Sequence, residues 1–249
     1  MEIKVNFLIA GTQKSGTTAL DAYLRLHPNL GMASEKEVHF FDNETYFTND
    51  PIDYSPYHQA FAPKPEHRLF GESTPIYMYW RTASERIWHY NPDMKLILIL
   101  RNPIERAFSH WNMECSRGAE QLSFWEAITN EQQRCQAAWP LQHRVYSYID
   151  RGFYSKQLAD IWRYFPRQNT LLLKHEELKA SPQKIVNQVF DFLGVDRLID
   201  IKPHEIFAIP YGQTISPKEK AFLLERFAEE INTLEQQLNW DCTDWKNNG

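Results

Sequence analysis

The sequence holds few of the parts from which a covalently stapled or membrane-bound protein is built. Only three cysteines occur in 249 residues, Cys115, Cys135 and Cys242. Their odd number, with no CxxC or zinc spacing, argues against a disulfide framework or a structural zinc and for free thiols in a reducing compartment. Long apolar runs are missing as well. The stretch before Gly11 is too short for a signal peptide or a membrane span, and Leu96 to Leu100 has the length of a buried strand. The chain is therefore expected in the cytoplasm, with no membrane insertion. A net charge of −5 leaves no basic excess, so nucleic acid is not an expected partner. No repeat, low-complexity tract or metal-ligand cluster is seen, and no metal is expected.

What remains is an ordinary globular composition, 43% apolar and 24% charged. The length suits one α/β domain over residues 1–249. Val5 to Ala10 is nearly continuous in apolar residues, the pattern of a parallel strand covered on both faces. Thr17 to His27 follows with helical spacing, closed by Pro28. Arg68 to Gly71, Lys95 to Leu100 and Thr170 to Lys174 are further expected strands. Helices are expected from Pro103 to Arg117, Ser123 to Arg134, Tyr148 to Tyr164, Ser181-Pro182 to Gly194, and Ser216-Pro217 to Leu238. Strands alternating with helices predict a P-loop-type parallel sheet flanked by helices on both sides, in a single domain.

Glycine is sparse, and two of the nine glycines fall in one segment, Gly11-Thr12-Gln13-Lys14-Ser15-Gly16-Thr17-Thr18. It lies between the first strand and the first helix and has the length of a phosphate loop. Glycines let backbone N–H groups converge on an anion, and the helix adds its positive N-terminal end. A nucleoside-triphosphatase loop carries lysine directly after the second glycine. Here Thr17 stands there and the lysine comes earlier, at Lys14. From inside the loop Lys14 would reach the oxygen between a 5′-phosphate and a transferred group and stabilise charge as that bond breaks.

With this lysine position the loop resembles that of the sulfotransferases, and the sequence is most similar to their heparan-sulfate and related bacterial branch. Three further segments carry the resemblance. Glu35-Lys36-Glu37-Val38-His39-Phe40-Phe41-Asp42 resembles the K-E-x-H-F-F segment of that branch. Lys95 to Trp111 resembles the strand and helix that bind the donor's 3′-phosphate. Arg151-Gly152-Phe153-Tyr154, with Trp162, Phe165-Pro166 and Leu171 to Leu178, resembles the later R-G-x-Y pattern. The similarity covers most of residues 5–195 and weakens after Gly194.

The resemblance implies transfer of a sulfuryl group from 3′-phosphoadenosine 5′-phosphosulfate, without a metal, to a hydroxyl or amine of a carbohydrate or small molecule. The product would be adenosine 3′,5′-bisphosphate. Gly11, Gln13, Lys14, Ser15, Gly16, Thr17 and Thr18 would hold the 5′-phosphosulfate, with Lys14 also catalytic. Arg101 and Ser109 would hold the 3′-phosphate. Arg101 ends a strand where ligands bind in open α/β sheets, and a guanidinium suits phosphate. Tyr154, and Tyr211 and Lys218 in a shortened C-terminal loop from Ile209 to Lys220, are further candidates for the donor.

The base that takes the acceptor's proton is Glu37 or His39. If their segment is extended, the two share a face. The resemblance favours Glu37, with His39 as an accessory, although His39 has the more convenient unperturbed pKa. Glu35 reads as solvated. Ser73 stands where several relatives carry lysine, which points the acceptor away from glycosaminoglycan. Tyr77-Met78-Tyr79-Trp80 and Trp111 either line the acceptor cleft or belong to the core. Two other readings compete: a P-loop kinase, opposed by Thr17 in the lysine position, and a catalytically silent nucleotide-binding module, opposed by Lys14 and Glu37.

Overall fold

A computed structural model describes residues 3–201 and 212–246. The strands are β1 (Val5–Gly11), β2 (Leu30–Met32), β3 (Leu69–Ser73), β4 (Lys95–Leu100) and β5 (Thr170–Lys174). In chain order the helices are α1 (Thr17–Leu24), α2 (Ser55–His58), α3 (Ala83–Tyr90), α4 (Pro103–Ser116), α5 (Phe124–Thr129) and α6 (Glu131–Gln136). They continue with α7 (Tyr154–Ile161), α8 (His175–Ala180), α9 (Pro182–Leu193), α10 (Pro217–Leu238) and α11 (Thr243–Lys246). The residues group into two compact units, Met1–Leu100 with Asp160–Ile206, and Arg101–Ala159 with Phe207–Gly249.

The first unit holds the whole sheet. Its order is β2-β3-β1-β4-β5 and every pairing is parallel. Apart from Asn6, β1 is buried throughout, as β4 is after Lys95, which is why both read as unbroken apolar runs. Alternation along the strands puts Phe7 and Ile9 of β1, and Ile97 and Ile99 of β4, in one core. They pack there with Leu20 and Leu24 of α1, Leu178 of α8, and Ile185, Val189 and Phe190 of α9. The strand order reverses at β1, which has β3 on one side and β4 on the other. Open parallel sheets bind ligands at the carboxyl end of such a switch point, and the loop Gly11 to Thr18 begins there.

In the second unit, α4 opens with Pro103 at its first position and is capped by the Asn102 side chain, which accepts from Ile104 N at 3.0 Å. Helix α10 is opened by a capping box between Ser216 and Glu219 and buries Leu223, Phe227, Ile231 and Leu234. Phe222, beside them, is half-buried.

Several expected boundaries shift for identifiable reasons. Ser123 to Arg134 is two helices, because Asn130 leaves helical geometry and its side chain donates back to Glu126 O. Tyr148 to Tyr164 is helical only over α7. Ahead of α7 the N–H groups of Ile149 and Asp150 donate to the buried Glu131 carboxylate rather than to a helical ladder. Strand β2 was not expected, nor was α8 between β5 and α9. Cys115, Cys135 and Cys242 are free thiols.

Candidate functional site

The phosphate loop is shaped from inside. Thr12 N and Thr12 Oγ1 both donate to Ile99 O, at 2.9 and 3.0 Å, so the loop is fastened to β4. Ser15 is wholly buried, with its hydroxyl hydrogen-bonded to the Thr12 hydroxyl and its N–H donating to Thr12 O. The Ser15 side chain thus holds the turn of the loop in which it was expected to meet the donor. Lys14 and Gly16 both take left-handed backbone, φ 72° and 91°. Left-handed residues separated by one position turn successive N–H groups into a concave nest for an anion.

Two glycines are required here by geometry. At Gly16 the left-handed φ favours glycine, and an added Cβ would lie 3.1 Å from His175 Nδ1. At Gly11 an added Cβ would lie 2.7 Å from Met78, whose N–H donates to Ala10 O at 2.8 Å. Helix α1 starts at Thr17 with no side-chain cap and no acidic residue in its first turn. Its positive end is therefore left for a ligand. Thr17 is buried, Thr18 exposed, and Gln13 and Lys14 half-buried.

The carboxylate segment hangs on the end of the neighbouring strand. Glu37 N donates to Ser73 O at 2.9 Å, and Ser73 of β3 pairs with Ile9 of β1. The segment is not extended as expected: Glu37 and His39 have φ 64° and 55°. The two side chains meet nonetheless. His39 Nε2 lies 3.5 Å from Glu37 Oε2, its Nδ1 lies 2.9 Å from Asp42 Oδ2, and Lys36 Nζ lies 2.6 Å from Glu37 Oε1. An imidazole thus stands between two carboxylates. Hydrogen bonds to Asp42 and then Glu37 lift His39 to about 9. Burial pushes the Glu37 carboxyl up, but hydrogen bonds and charge from His39 and Lys36 outweigh it and hold it at about 2. At neutral pH Glu37 is ionised and His39 carries its proton. Glu35 is exposed. Tyr77, Met78, Tyr79 and Trp80 are buried, as is Trp111, which places them in the core. Asp42 had no assigned role in the sequence; the signal for it is its place three residues after His39.

The second unit carries the remaining candidates. Arg101 Nη2 pairs with Glu105 Oε2 at 2.9 Å, and Arg101 O accepts from the hydroxyl of the fully buried Tyr154 at 2.9 Å. Glu105 is largely exposed, so the pair is weak and an anion would compete for the guanidinium. Tyr154 thereby anchors the main chain of Arg101. Ser109 is buried in α4. Lys218 Nζ lies 3.6 Å over the Trp125 ring. Tyr211 lies outside the described residues. Among the described residues, no group of three or more His, Cys, Asp or Glu side chains is placed to hold a metal ion.

A glycine loop at the switch point of a parallel sheet, with the Glu37 segment hydrogen-bonded to the adjacent strand end, is an architecture of the P-loop type. The chain belongs to the sulfotransferase domain family, whose model matches residues 4–220. Heparan sulfate glucosamine 3-O-sulfotransferase 6 of Homo sapiens is 34% identical over 197 residues, covering 78% of this chain and 54% of that protein. The membrane-associated sulfotransferase kil1 of Dictyostelium discoideum is 23% identical, covering 97% of this chain and 66% of that protein. The chain thus spans about half to two-thirds of the length of these curated relatives. A solved sulfotransferase from Alicyclobacillus acidocaldarius superposes with a TM-score of 0.85 at 26% identity, covering 99% of this chain and all of the other. No described helix is long and apolar enough to cross a membrane.

Proposed function

We propose that residues 1–249 form one sulfotransferase domain that moves a sulfuryl group from 3′-phosphoadenosine 5′-phosphosulfate to a hydroxyl or amine of a carbohydrate or small molecule. The observation that carries this is that the loop Gly11 to Thr18 and Glu37 are fastened to the ends of the adjacent parallel strands β1 and β3. The acceptor's proton goes to Glu37 as its oxygen or nitrogen bonds to sulfur. The bond from sulfur to the bridging oxygen breaks, and adenosine 3′,5′-bisphosphate leaves. Lys14 offsets the charge that develops on the leaving phosphate. Backbone N–H groups of the loop, with Thr17 and Thr18, hold the phosphosulfate, and Arg101 and Ser109 take the 3′-phosphate. His39, whose ring nitrogens lie 3.5 Å from Glu37 Oε2 and 2.9 Å from Asp42 Oδ2, is assigned the accessory role of orienting Glu37.

The competing kinase reading is separated by a melting experiment. Adenosine 3′,5′-bisphosphate at a hundred times its Kd stabilises by about 2.7 kcal/mol. For a chain of this size that raises Tm by roughly 5–10 °C. ATP with Mg²⁺ is expected to leave Tm unchanged. A shift with ATP–Mg²⁺ and none with the bisphosphate would remove the sulfotransferase reading in favour of a kinase.

A further inference from the structure

The start of α4 is held by three contacts that come from one stretch of chain. The Tyr154 hydroxyl donates to Arg101 O at 2.9 Å. Gly152 abuts Pro103: a Cβ on Gly152 would stand 3.1 Å from the Pro103 Cβ. Arg106, wholly buried in the first turn of α4, donates through Nη2 to Tyr148 O. Arg101 and Ser109, the residues assigned to the 3′-phosphate, lie just before and just after these contacts.

The same stretch is gripped at its own head by Glu131. This residue opens α6 and is buried. Its Oε2 accepts from Ile149 N at 2.6 Å and its Oε1 from Asp150 N at 2.8 Å. The two N–H groups stand at the beginning of a 3₁₀ turn, Asp150–Gly152, in which Gly152 N donates to Ile149 O at 2.7 Å. A carboxylate offers one oxygen to each of two N–H groups, and bonds to an ionised acceptor are roughly twice as strong as neutral ones. Burial pushes the Glu131 carboxyl up to about 7, and the N–H groups of Asp150 and Ile149 oppose this. At pH 8 it is ionised and accepts from both.

We propose that Glu131 is a positioning residue for the donor's 3′-phosphate. By fixing the turn after Ile149 it sets Gly152 and Tyr154 against the start of α4, and with them the main chain of Arg101. Glu131 acts through the turn and makes no bond to the ligand. The inference rests on the assignment of Arg101 and Ser109 to the 3′-phosphate and adds the group that holds them in place.

The test compares two nucleotides. Dissociation constants for adenosine 3′,5′-bisphosphate and adenosine 5′-monophosphate, which lacks the 3′-phosphate, are measured by calorimetry at pH 8. The proteins are the wild type, Glu131→Gln, Glu131→Asp and Tyr154→Phe. Glutamine turns an NH₂ group toward one of the two N–H donors. Aspartate keeps the charge but draws both oxygens back by one methylene. Phenylalanine removes only the hydroxyl that reaches Arg101 O. In each variant the preference for the bisphosphate is expected to fall about tenfold, the order of one lost hydrogen bond to a charged group, with 5′-monophosphate affinity held within about twofold. The second expectation follows because Thr12 fastens the phosphate loop to β4, apart from this turn.

Loss of charge alone would act in the opposite direction, since removing a carboxylate strengthens the hold on an anion. Loss of packing alone would lower Tm and leave the ratio of the two constants as in the wild type. A ratio unchanged in any of the three variants, or raised in Glu131→Gln, would overturn the proposal. Where Glu131→Gln does not fold, Glu131→Asp and Tyr154→Phe decide it. A wild type that binds both nucleotides equally well would instead sink the assignment of Arg101 and Ser109.

Discussion

Glu37→Gln is expected to lower the rate of sulfuryl transfer by about 10²- to 10⁴-fold, the range a positioned general base contributes. Glutamine keeps the shape and loses the basic lone pair. The partners lose charge with it: Lys36 Nζ at 2.6 Å and His39 Nε2 at 3.5 Å both face that carboxylate. His39 should consequently titrate lower than in the wild type, since Glu37 is one of the two groups that raise it. The melting response to adenosine 3′,5′-bisphosphate should be unchanged, because no atom of the phosphate loop is altered. Steady-state transfer and nucleotide melting on the same preparation check both halves. Activity within tenfold of wild type would return the role to His39, and His39→Asn would then carry the loss.

Lys14→Ala is expected to cost about 10²- to 10³-fold in kcat, or roughly 3–4 kcal/mol, as for loss of one donor aimed at developing charge. Lys14 already sits in left-handed backbone, φ 72°. Alanine there bears a similar backbone cost, so the effect reports on the ammonium rather than on folding. The effect should fall mostly on kcat, because the charge it meets grows as the bridging bond breaks. Product affinity weakens less, since the nest of N–H groups and the α1 N-terminus remain. Lys14→Arg should recover only part of the rate: a planar guanidinium does not replace a compact ammonium inside a tight turn. Measurement of kcat and KM for the donor in the three proteins tests this, and an unchanged kcat in Lys14→Ala would remove lysine from the mechanism.

The parts of the fold that were legible in the sequence are those coded by contiguous residues. The runs in β1, β4 and β5 and the proline-started helices α4, α9 and α10 need no distant partner to be recognised. Strand β2 has three residues, Leu30–Met32, too few for a period to show, and it exists because Gly31 and its neighbours pair with β3. The merging of Tyr148 to Tyr164 into one helix failed because Glu131, distant in sequence, takes the N–H groups that a helix would have used.

The site divides in the same way. The phosphate loop is one segment, and so is Lys36 to Asp42, so both could be found by eye. That Glu37 and His39 belong together was right, but alternation was the wrong reason. Two left-handed residues bring them together, in a segment whose N–H groups donate to Ser73, Thr74 and Tyr77, which no alternation could show. The burial of the Ser15 hydroxyl against Thr12, which shapes the turn, could not be read from its place in the motif.

The most direct test of the central claim is transfer of radiolabelled sulfate from 3′-phosphoadenosine 5′-phosphosulfate to a panel of acceptors: neutral and sulfated oligosaccharides, amino sugars, phenols and aliphatic alcohols. The expected result is label in at least one hydroxyl- or amine-bearing acceptor, with adenosine 3′,5′-bisphosphate formed in equal amount and the signal lost in Glu37→Gln and Lys14→Ala. Label transfer that survives both substitutions would contradict the assigned mechanism. Tight bisphosphate binding without label in any acceptor class would contradict transfer itself and leave a nucleotide-binding module.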